Sequence, residues 1–304
     1  MNVLLIGGSN LLGRYLLRSV PTGMDVTATW YSNYMPGCTL QLDLTNQSQV
    51  NYVFGRVKPQ VVLHLAAIGD VDYAETHYQE TYAVNVLGLQ NVLQTCRDYH
   101  ARMVYISSNA VFGGDNPPYA EDSPREPVNR YGVTRKRAED EVMRSDNWLI
   151  LRLFLLFGWS PPGARTNWVQ TIVRRLREGE SLSLVDDTLW QPTYAGFAAS
   201  AIWLAANGMW EAGEGRLHNQ IIHLASSEAV SLFTLGMNTA HTFGLPADKI
   251  QPIKSSSLPS TLAKRPVNST YDLSKSRKLG LALPSLWDGL KAMRDDEKEF
   301  AGPH

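Results

Sequence analysis

Cysteine is nearly absent from this 304-residue chain: Cys38 and Cys96 are the only two, and they form no Cys-x-x-Cys pair. That excludes a disulfide framework and a cysteine-built zinc site, and it fits a reducing compartment. An excess of charge of one sign is also missing. With 28 basic and 29 acidic residues the net charge is -1, so there is no broad field for nucleic acid or anionic lipid, and any phosphate must be held locally. No apolar run is long enough to cross a bilayer core of roughly 30 Å; the longest, Trp148 to Trp159, contains Arg152. The opening Met1-Asn2-Val3-Leu4-Leu5-Ile6 has no preceding positive region and meets two glycines at once, which reads as a buried strand and not a signal peptide. His218 and His223 stand five apart without a Cys/His cluster around them, a spacing that does not put two imidazoles on one helix face, so no metal is expected. A cytoplasmic protein with neither nucleic-acid nor membrane partners is the expectation.

What is present is an alternation of apolar runs and helical periodicities. Val3–Ile6, Val26–Trp30, Val61–Leu65, Met103–Ile106 and Leu149–Leu153 read as strands separated by helix-like segments, the pattern of an α/β doubly wound parallel sheet covered on both faces. After Trp159 the alternation breaks at Ser160-Pro161-Pro162-Gly163, and Trp168 to Glu178 reads as a helix. The small apolar helix Ala195 to Ala206 is expected to return to the main sheet. Residues 1–158, with 187–225 returning, are therefore assigned to a nucleotide-binding unit, and 159–186 and 226–304 to a smaller interleaved α/β substrate lobe. The acidic run Asp295-Asp296-Glu297-Lys298-Glu299 is expected to be a solvated helix face.

The first strand is closed by Gly7-Gly8-Ser9-Asn10-Leu11-Leu12-Gly13. A glycine ending a strand and another six positions on, in the first helical turn, let backbone amides approach a pyrophosphate at the positive helix end. Asn10 stands where a glycine is usual, and asparagine tolerates a left-handed backbone. Asp43, in Leu42-Asp43-Leu44-Thr45, suits either an adenine amino group or the N-cap of the helix carrying Val50 and Val53. The segment after the second strand, Trp30-Tyr31-Ser32-Asn33-Tyr34, holds no carboxylate for a ribose 2′-hydroxyl. NADP(H) is therefore preferred, with NAD(H) also admitted. The expected cofactor contacts are Gly7, Ser9, Asn10, Leu11, Leu12, Gly13, Tyr31, Ser32, Asp43, Leu44, Leu65, Ala66, Ala67, Asn85, Tyr131 and Arg135.

Ser107-Ser108-Asn109-Ala110-Val111-Phe112-Gly113 follows an apolar strand, and Tyr131-Gly132-Val133-Thr134-Arg135 opens a later helix. Residues four apart share a helix face, so Arg135 lies beside Tyr131. To reduce a carbonyl, a phenol must give its proton to the developing alkoxide, a hydroxyl such as that of Ser108 can hold that oxygen, and a fixed cation favours the phenolate left behind. Lys136 is turned away by about 100°. Ser108, Tyr131 and Arg135 are the catalytic candidates.

These residues resemble the extended short-chain dehydrogenase/reductase superfamily, and within it the dTDP-4-dehydrorhamnose reductase branch. Val71-Asp72-Tyr73-Ala74-Glu75, Asn85-Val86-Leu87-Gly88, Ser107 to Gly114, then Glu121, Pro124, Pro127 and Tyr131-Gly132 follow that branch's spacing. In the second lobe Asp187, Pro192-Thr193, Arg265-Pro266-Val267-Asn268-Ser269 and Leu283-Pro284-Ser285-Leu286-Trp287 are similar to its substrate-domain signatures. The resemblance implies a Rossmann-like domain, a nicotinamide cofactor and reduction of a 4-keto group on a nucleotide-linked 6-deoxyhexose. It puts Asn109, Ala110 and Leu155 on the substrate side; Asn167 is a further substrate candidate, and Trp168 and Trp190 are expected to flank the cleft, where they could stack on a base. Four departures stand out: Arg135 replaces the lysine, Asn10 a glycine, Leu155, in a run from Arg152 to Phe157 read as one strand, a tryptophan, and Asn109-Ala110 an Asp-Tyr pair. The branch also resembles the regulatory subunit of methionine adenosyltransferase, which would bind the cofactor without turnover. An epimerase or dehydratase on the same scaffold, with Asp70, Asp72 and Glu75 as acid-base candidates, is the remaining reading. The expected partners are a nucleotide-sugar substrate and, in a possible homodimer, a second copy of the chain.

Overall fold

A computed structural model describes residues 1–211, 217–259 and 263–300, the last four positions of the first stretch through their backbone alone. The strands are β1 (Asn2–Ile6), β2 (Asp25–Trp30), β3 (Cys38–Gln41), β4 (Val61–His64), β5 (Arg102–Ser108), β6 (Trp148–Leu153), β7 (Leu156–Phe157), β8 (Leu182–Val185), β9 (Thr193–Tyr194), β10 (Gln220–Leu224) and β11 (Ile250–Ile253). Seven of them form one sheet in the order β3-β2-β1-β4-β5-β6-β10, with every neighbour pair parallel. The helices are α1 (Leu11–Arg18), α2 (Gln47–Val57), α3 (Val71–Thr76), α4 (Tyr78–Tyr82), α5 (Leu89–Tyr99), α6 (Arg130–Met143), α7 (Trp168–Arg177), α8 (Ala195–Glu211), α9 (Leu232–Phe243), α10 (Ser274–Lys278), α11 (Leu286–Asp295) and α12 (Glu297–Phe300).

The central strands are apolar at consecutive positions because both sheet faces are covered. Val3, Leu5, Leu63, Val104, Ile106 and Leu151 point to one face, where they pack under Leu12, Tyr15 and Leu16 of α1 and Ala198, Ile202 and Trp203 of α8. Leu4, Ile6, Val62, Met103, Tyr105 and Ile150 point to the other, against Val53 and Phe54 of α2, Val92 and Cys96 of α5, and Ala138 and Val142 of α6. The period of two along each strand thus divides one hydrophobic run between two cores. β10 brings the chain back beside β6, while the short β8 pairs with the later β11 outside this sheet. Among the described residues, no helix is long and apolar enough to cross a membrane.

Two local expectations are corrected. The run Arg152 to Phe157, read as one strand, breaks into β6 and β7 because Leu155 turns through a positive φ of 20°; its carbonyl then accepts from Thr193, which pairs β7 with β9. The acidic run near the end of the chain is not a free solvated face. Asp296 accepts from the Tyr194 hydroxyl and pairs with Arg18 at 3.2 Å, Glu297 meets Arg177 at 2.9 Å, and Glu299 meets Arg18. Phe300 stacks on Tyr15 at 4.9 Å under the Arg14 guanidinium. Basic residues in the last turns of α1 and α7 supply the opposite charge, which periodicity along the acidic segment cannot reveal.

Candidate functional site

Strand order reverses between β1 and β4, and open α/β sheets bind ligands in the crevice outside the carboxyl ends at such a point. The glycine loop leaves β1 there and enters α1. At Gly13 a Cβ would lie 2.2 Å from the Gly8 carbonyl oxygen, so only glycine lets the helix start this close to the loop. Asn10 is not left-handed: at φ -94° and ψ 177° it is extended and caps α1, accepting from the Gly13 amide at 2.8 Å. The cap leaves the amides of Leu11 and Leu12, first in the helix, without an intrahelical acceptor, and they form part of the positive end of the helix dipole, where an anion is favoured. A Gly13→Ala variant is expected to weaken NADPH binding at least about tenfold, near 1.4 kcal/mol, in a fluorescence titration; an unchanged dissociation constant would separate the loop from the cofactor.

Around the loop, Tyr31 and Ser32 are exposed after β2, while Leu44 and Leu65 are buried. Asp43 does not cap α2; Asn46 does, through Gln49 N at 3.1 Å. Asp43 instead accepts from the amide and hydroxyl of Thr45 at 2.9 and 2.7 Å with one oxygen. Ala66 and Ala67 belong to the segment after β4, and Ala66 packs on Gly7. Asn85, only 1% exposed, lies in a π-helical turn over Ala83–Gly88. Its amide is engaged by Ile68 N at 2.8 Å, Ile68 O at 3.1 Å and Thr134 Oγ1 at 3.1 Å. It is therefore a strut between the loop after β4 and α6.

Ser108 ends β5 and caps the short 3-10 turn Asn109–Val111, accepting from Ala110 N at 3.2 Å. Asn129 caps α6 through Gly132 N at 2.8 Å. The two caps meet: a Cβ on Gly132 would lie 2.2 Å from the Ala110 carbonyl oxygen, so glycine lets the first turn of α6 press on the turn after Ser108 and sets Tyr131 against it. Arg135, 7% exposed, donates from Nε to the Tyr131 hydroxyl at 2.9 Å and from Nη1 to the Tyr105 hydroxyl at 2.8 Å. Lys136, one residue on, is half-buried on another side of the helix. Burial works against the Arg135 charge, but the two phenols outweigh it and hold its pKa above the ordinary arginine value. Tyr105 and His64, both fully buried here, escaped the sequence reading because they sit inside apolar strands; their place in the alternation facing α6 was the available signal.

Of the residues expected at the substrate, Asn109 donates to Ser269 Oγ at 2.9 Å and lies beside the Ser108 hydroxyl at 3.3 Å, which ties the β5 turn to the segment around Ser269. Ala110 and Leu155 are half-buried. Asn167 caps α7 through Gln170 N at 3.1 Å and donates to Gly158 O at 2.6 Å, so its side chain is occupied. Trp168 is 43% exposed at the start of α7; Trp190 donates to Thr188 Oγ1 at 2.9 Å and meets Phe154 edge-on. Asp187 accepts from the amide and hydroxyl of Ser255. Arg265 pairs with Asp72, far back along the chain, at 2.7 Å.

Behind the serine, Glu139 and Arg152 form a fully buried two-pronged pair, at 2.9 and 2.8 Å. Ser107 donates to Glu139 at 2.6 Å and Arg125 reaches it at 3.1 Å. Arg152 Nη1 also donates to Glu121 O at 3.0 Å and lies 3.1 Å from His223 Nε2. Burial and then Arg152 push the His223 pKa well below its usual value, which leaves a neutral ring able to accept at Nε2. Among the described residues no group of three or more His, Cys, Asp or Glu could hold a metal ion.

Residues 1–298 match the RmlD substrate binding domain family. The chain is 29% identical over 302 residues to dTDP-4-dehydrorhamnose reductase of Aggregatibacter actinomycetemcomitans, covering 96% of this chain and 98% of that one. It is 27% identical over 287 residues to methionine adenosyltransferase 2 subunit beta of Xenopus tropicalis, covering 91% and 82%. Among solved structures, dTDP-4-dehydrorhamnose reductase of Bacillus anthracis in complex with NADP superposes with a TM-score of 0.83 at 26% identity, over 97% of each chain.

Proposed function

This chain belongs to the RmlD substrate binding domain family, and from that footing we propose that it is an NADP(H)-dependent reductase of a nucleotide-linked 4-keto-6-deoxy sugar. The observation that carries the reading is the 2.9 Å bond from Arg135 to the Tyr131 hydroxyl, on a helix whose first turn presses at Gly132 on the Ala110 carbonyl, two residues after Ser108. Because Arg135 donates to that oxygen, the tyrosine hydrogen is left to point elsewhere, toward a carbonyl oxygen. Ser108 can hold the same oxygen, and the guanidinium stabilises the phenolate that remains.

NADP(H) fits the crevice: the Gly13 close approach and the open amides of Leu11 and Leu12 suit a pyrophosphate, and the exposed segment after β2 carries no carboxylate to repel a 2′-phosphate. When bound, the nicotinamide supplies the hydride. We assign residues 1–158 and 187–225 to the cofactor unit, and 159–186 and 226–304 to the lobe that holds the sugar nucleotide. Asp70, Asp72 and Glu75 favour simple reduction over dehydration, since each is already engaged: Asp70 caps α3, Asp72 pairs with Arg265, and Glu75 accepts from Arg130 N at 2.8 Å.

The test is consumption of NADPH by the purified protein with a dTDP-4-keto-6-deoxyhexose. Saturable, sugar-dependent loss of nicotinamide absorbance is expected, with a smaller dissociation constant for NADPH than for NADH. Arg135 in the lysine position and the similarity to an adenosyltransferase subunit favour a second reading, a cofactor-binding regulator. Tight NADPH binding with no turnover on any keto-sugar would select it.

A further inference from the structure

We propose that Tyr105 is the positioning residue that lets an arginine serve as the cation of this site: its hydroxyl anchors Nη1 of Arg135 and thereby fixes Nε on the Tyr131 hydroxyl. The proposal rests on the reductase reading and explains how that reading survives the loss of lysine. An ammonium is a compact charge with rotatable donors, whereas a guanidinium is planar with its donors in a fixed fork. One hydrogen bond leaves the plane free to swing; two, to oxygens on separate elements, fix it. Tyr105 comes from β5 and Tyr131 from α6, and the guanidinium carbon lies 5.7 and 5.3 Å from their ring centres.

The surroundings leave this charge available. Among the described residues no carboxylate pairs with Arg135, while Glu139, one turn on, is taken by Arg152, Arg125 and Ser107. Behind Tyr105, at 5.7 Å between rings, lies His64, 1% exposed, with neither ring nitrogen hydrogen-bonded. Burial and then Arg135 lower its pKa to about 3, so it stays neutral and adds no opposing charge. Tyr105 of β5, Tyr131 of α6 and His64 of β4 therefore form a wall of uncharged groups around one cation. That cation's favourable partner is the phenolate that Tyr131 becomes when it gives up its proton.

The experiment is a double-mutant cycle of Tyr105→Phe and Arg135→Lys, after circular dichroism has shown each variant folded. With Arg135 present, Tyr105→Phe is expected to lower kcat about tenfold or more while both KM values stay within about threefold. In the Arg135→Lys background the same exchange is expected to change kcat by less than about threefold, because the anchor then has no guanidinium to hold. Equal losses in both backgrounds would reduce Tyr105 to packing and overturn the proposal. A readout independent of turnover is the Nε–H resonance of Arg135 in arginine-15N-labelled protein, expected to shift and exchange faster in Tyr105→Phe; an unaltered resonance overturns the proposal too. A wild-type protein that consumes no NADPH with keto-sugars defeats the reductase reading, and the labelled-arginine spectrum then decides the anchor by itself.

Discussion

Tyr131→Phe is expected to lower kcat about 10²- to 10⁴-fold, the range for losing a positioned general acid, while the protein still binds NADPH. The exchange removes one oxygen, and that oxygen is the acceptor of the Arg135 Nε bond at 2.9 Å. Arg135 would keep its bond to Tyr105 at 2.8 Å, so the guanidinium stays held at one end while a donor is left without its partner. Such an orphaned buried donor costs about 1–3 kcal/mol, and a modest fall in melting temperature should accompany the loss of rate. The measurement is a pair: steady-state NADPH consumption and a fluorescence titration of NADPH on the same sample. Turnover surviving in the phenylalanine variant would mean that the proton comes from elsewhere and would remove Tyr131 from the chemistry. Loss of NADPH affinity together with rate would mean that the tyrosine serves mainly to hold the cofactor. The Ser108→Ala variant should sit between the two, because the carbonyl oxygen would lose one of two hydroxyl contacts and the proton source would remain.

The largest effect on stability is expected from Arg152→Met. Both members of the Arg152 and Glu139 pair are fully buried, and removing one partner of a buried pair leaves an unpaired charge, at a cost of about 3–5 kcal/mol. Glu139 would retain Arg125 at 3.1 Å and Ser107 at 2.6 Å, which places the expectation near the lower end, about 3 kcal/mol. That is a large share of the roughly 5–15 kcal/mol by which domains are stable. Urea unfolding monitored by circular dichroism checks it through the midpoint. The double variant Arg152→Met with Glu139→Met should unfold at a higher urea concentration than Arg152→Met alone, since it removes the stranded carboxylate along with its partner. A double variant weaker than either single one would show that the network is held by packing and not by charge. Ser107 adjoins Ser108, so the single Arg152 variant should also reduce turnover by displacing the end of β5.

The sheet was legible because burial on both faces demands unbroken apolar runs, and Val3–Ile6, Val61–Leu65 and Leu149–Leu153 have that form. Their boundaries in the structure differ from the sequence reading by a residue or two at most. The Arg152 to Phe157 break was not legible, since Leu155 gives no local sign that its carbonyl will be claimed by Thr193, far along the chain. The glycine loop was legible in its glycines and misread at Asn10, whose capping bond depends on where the Gly13 amide points. Asn85 and Asn167 were expected at the cofactor and the substrate, but a sequence does not say whether an amide faces a ligand or a neighbouring backbone. In both cases the backbone took it.

By itself the sequence determined the period of each element, the positions where only glycine fits, and the helical spacing that sets Arg135 beside Tyr131, because all of these follow from interactions within a few residues. Tertiary structure alone decided what Arg135 does with its charge. The spacing that made it a neighbour of Tyr131 left open whether it would point into solvent, onto a carboxylate or into the crevice. The answer came from β5, which runs under α6 and offers the Tyr105 hydroxyl, and from the buried Arg152, which occupies Glu139 and leaves Arg135 without a carboxylate. Burial and competition for partners are properties of the packed chain, and the role proposed for Arg135 turns on them.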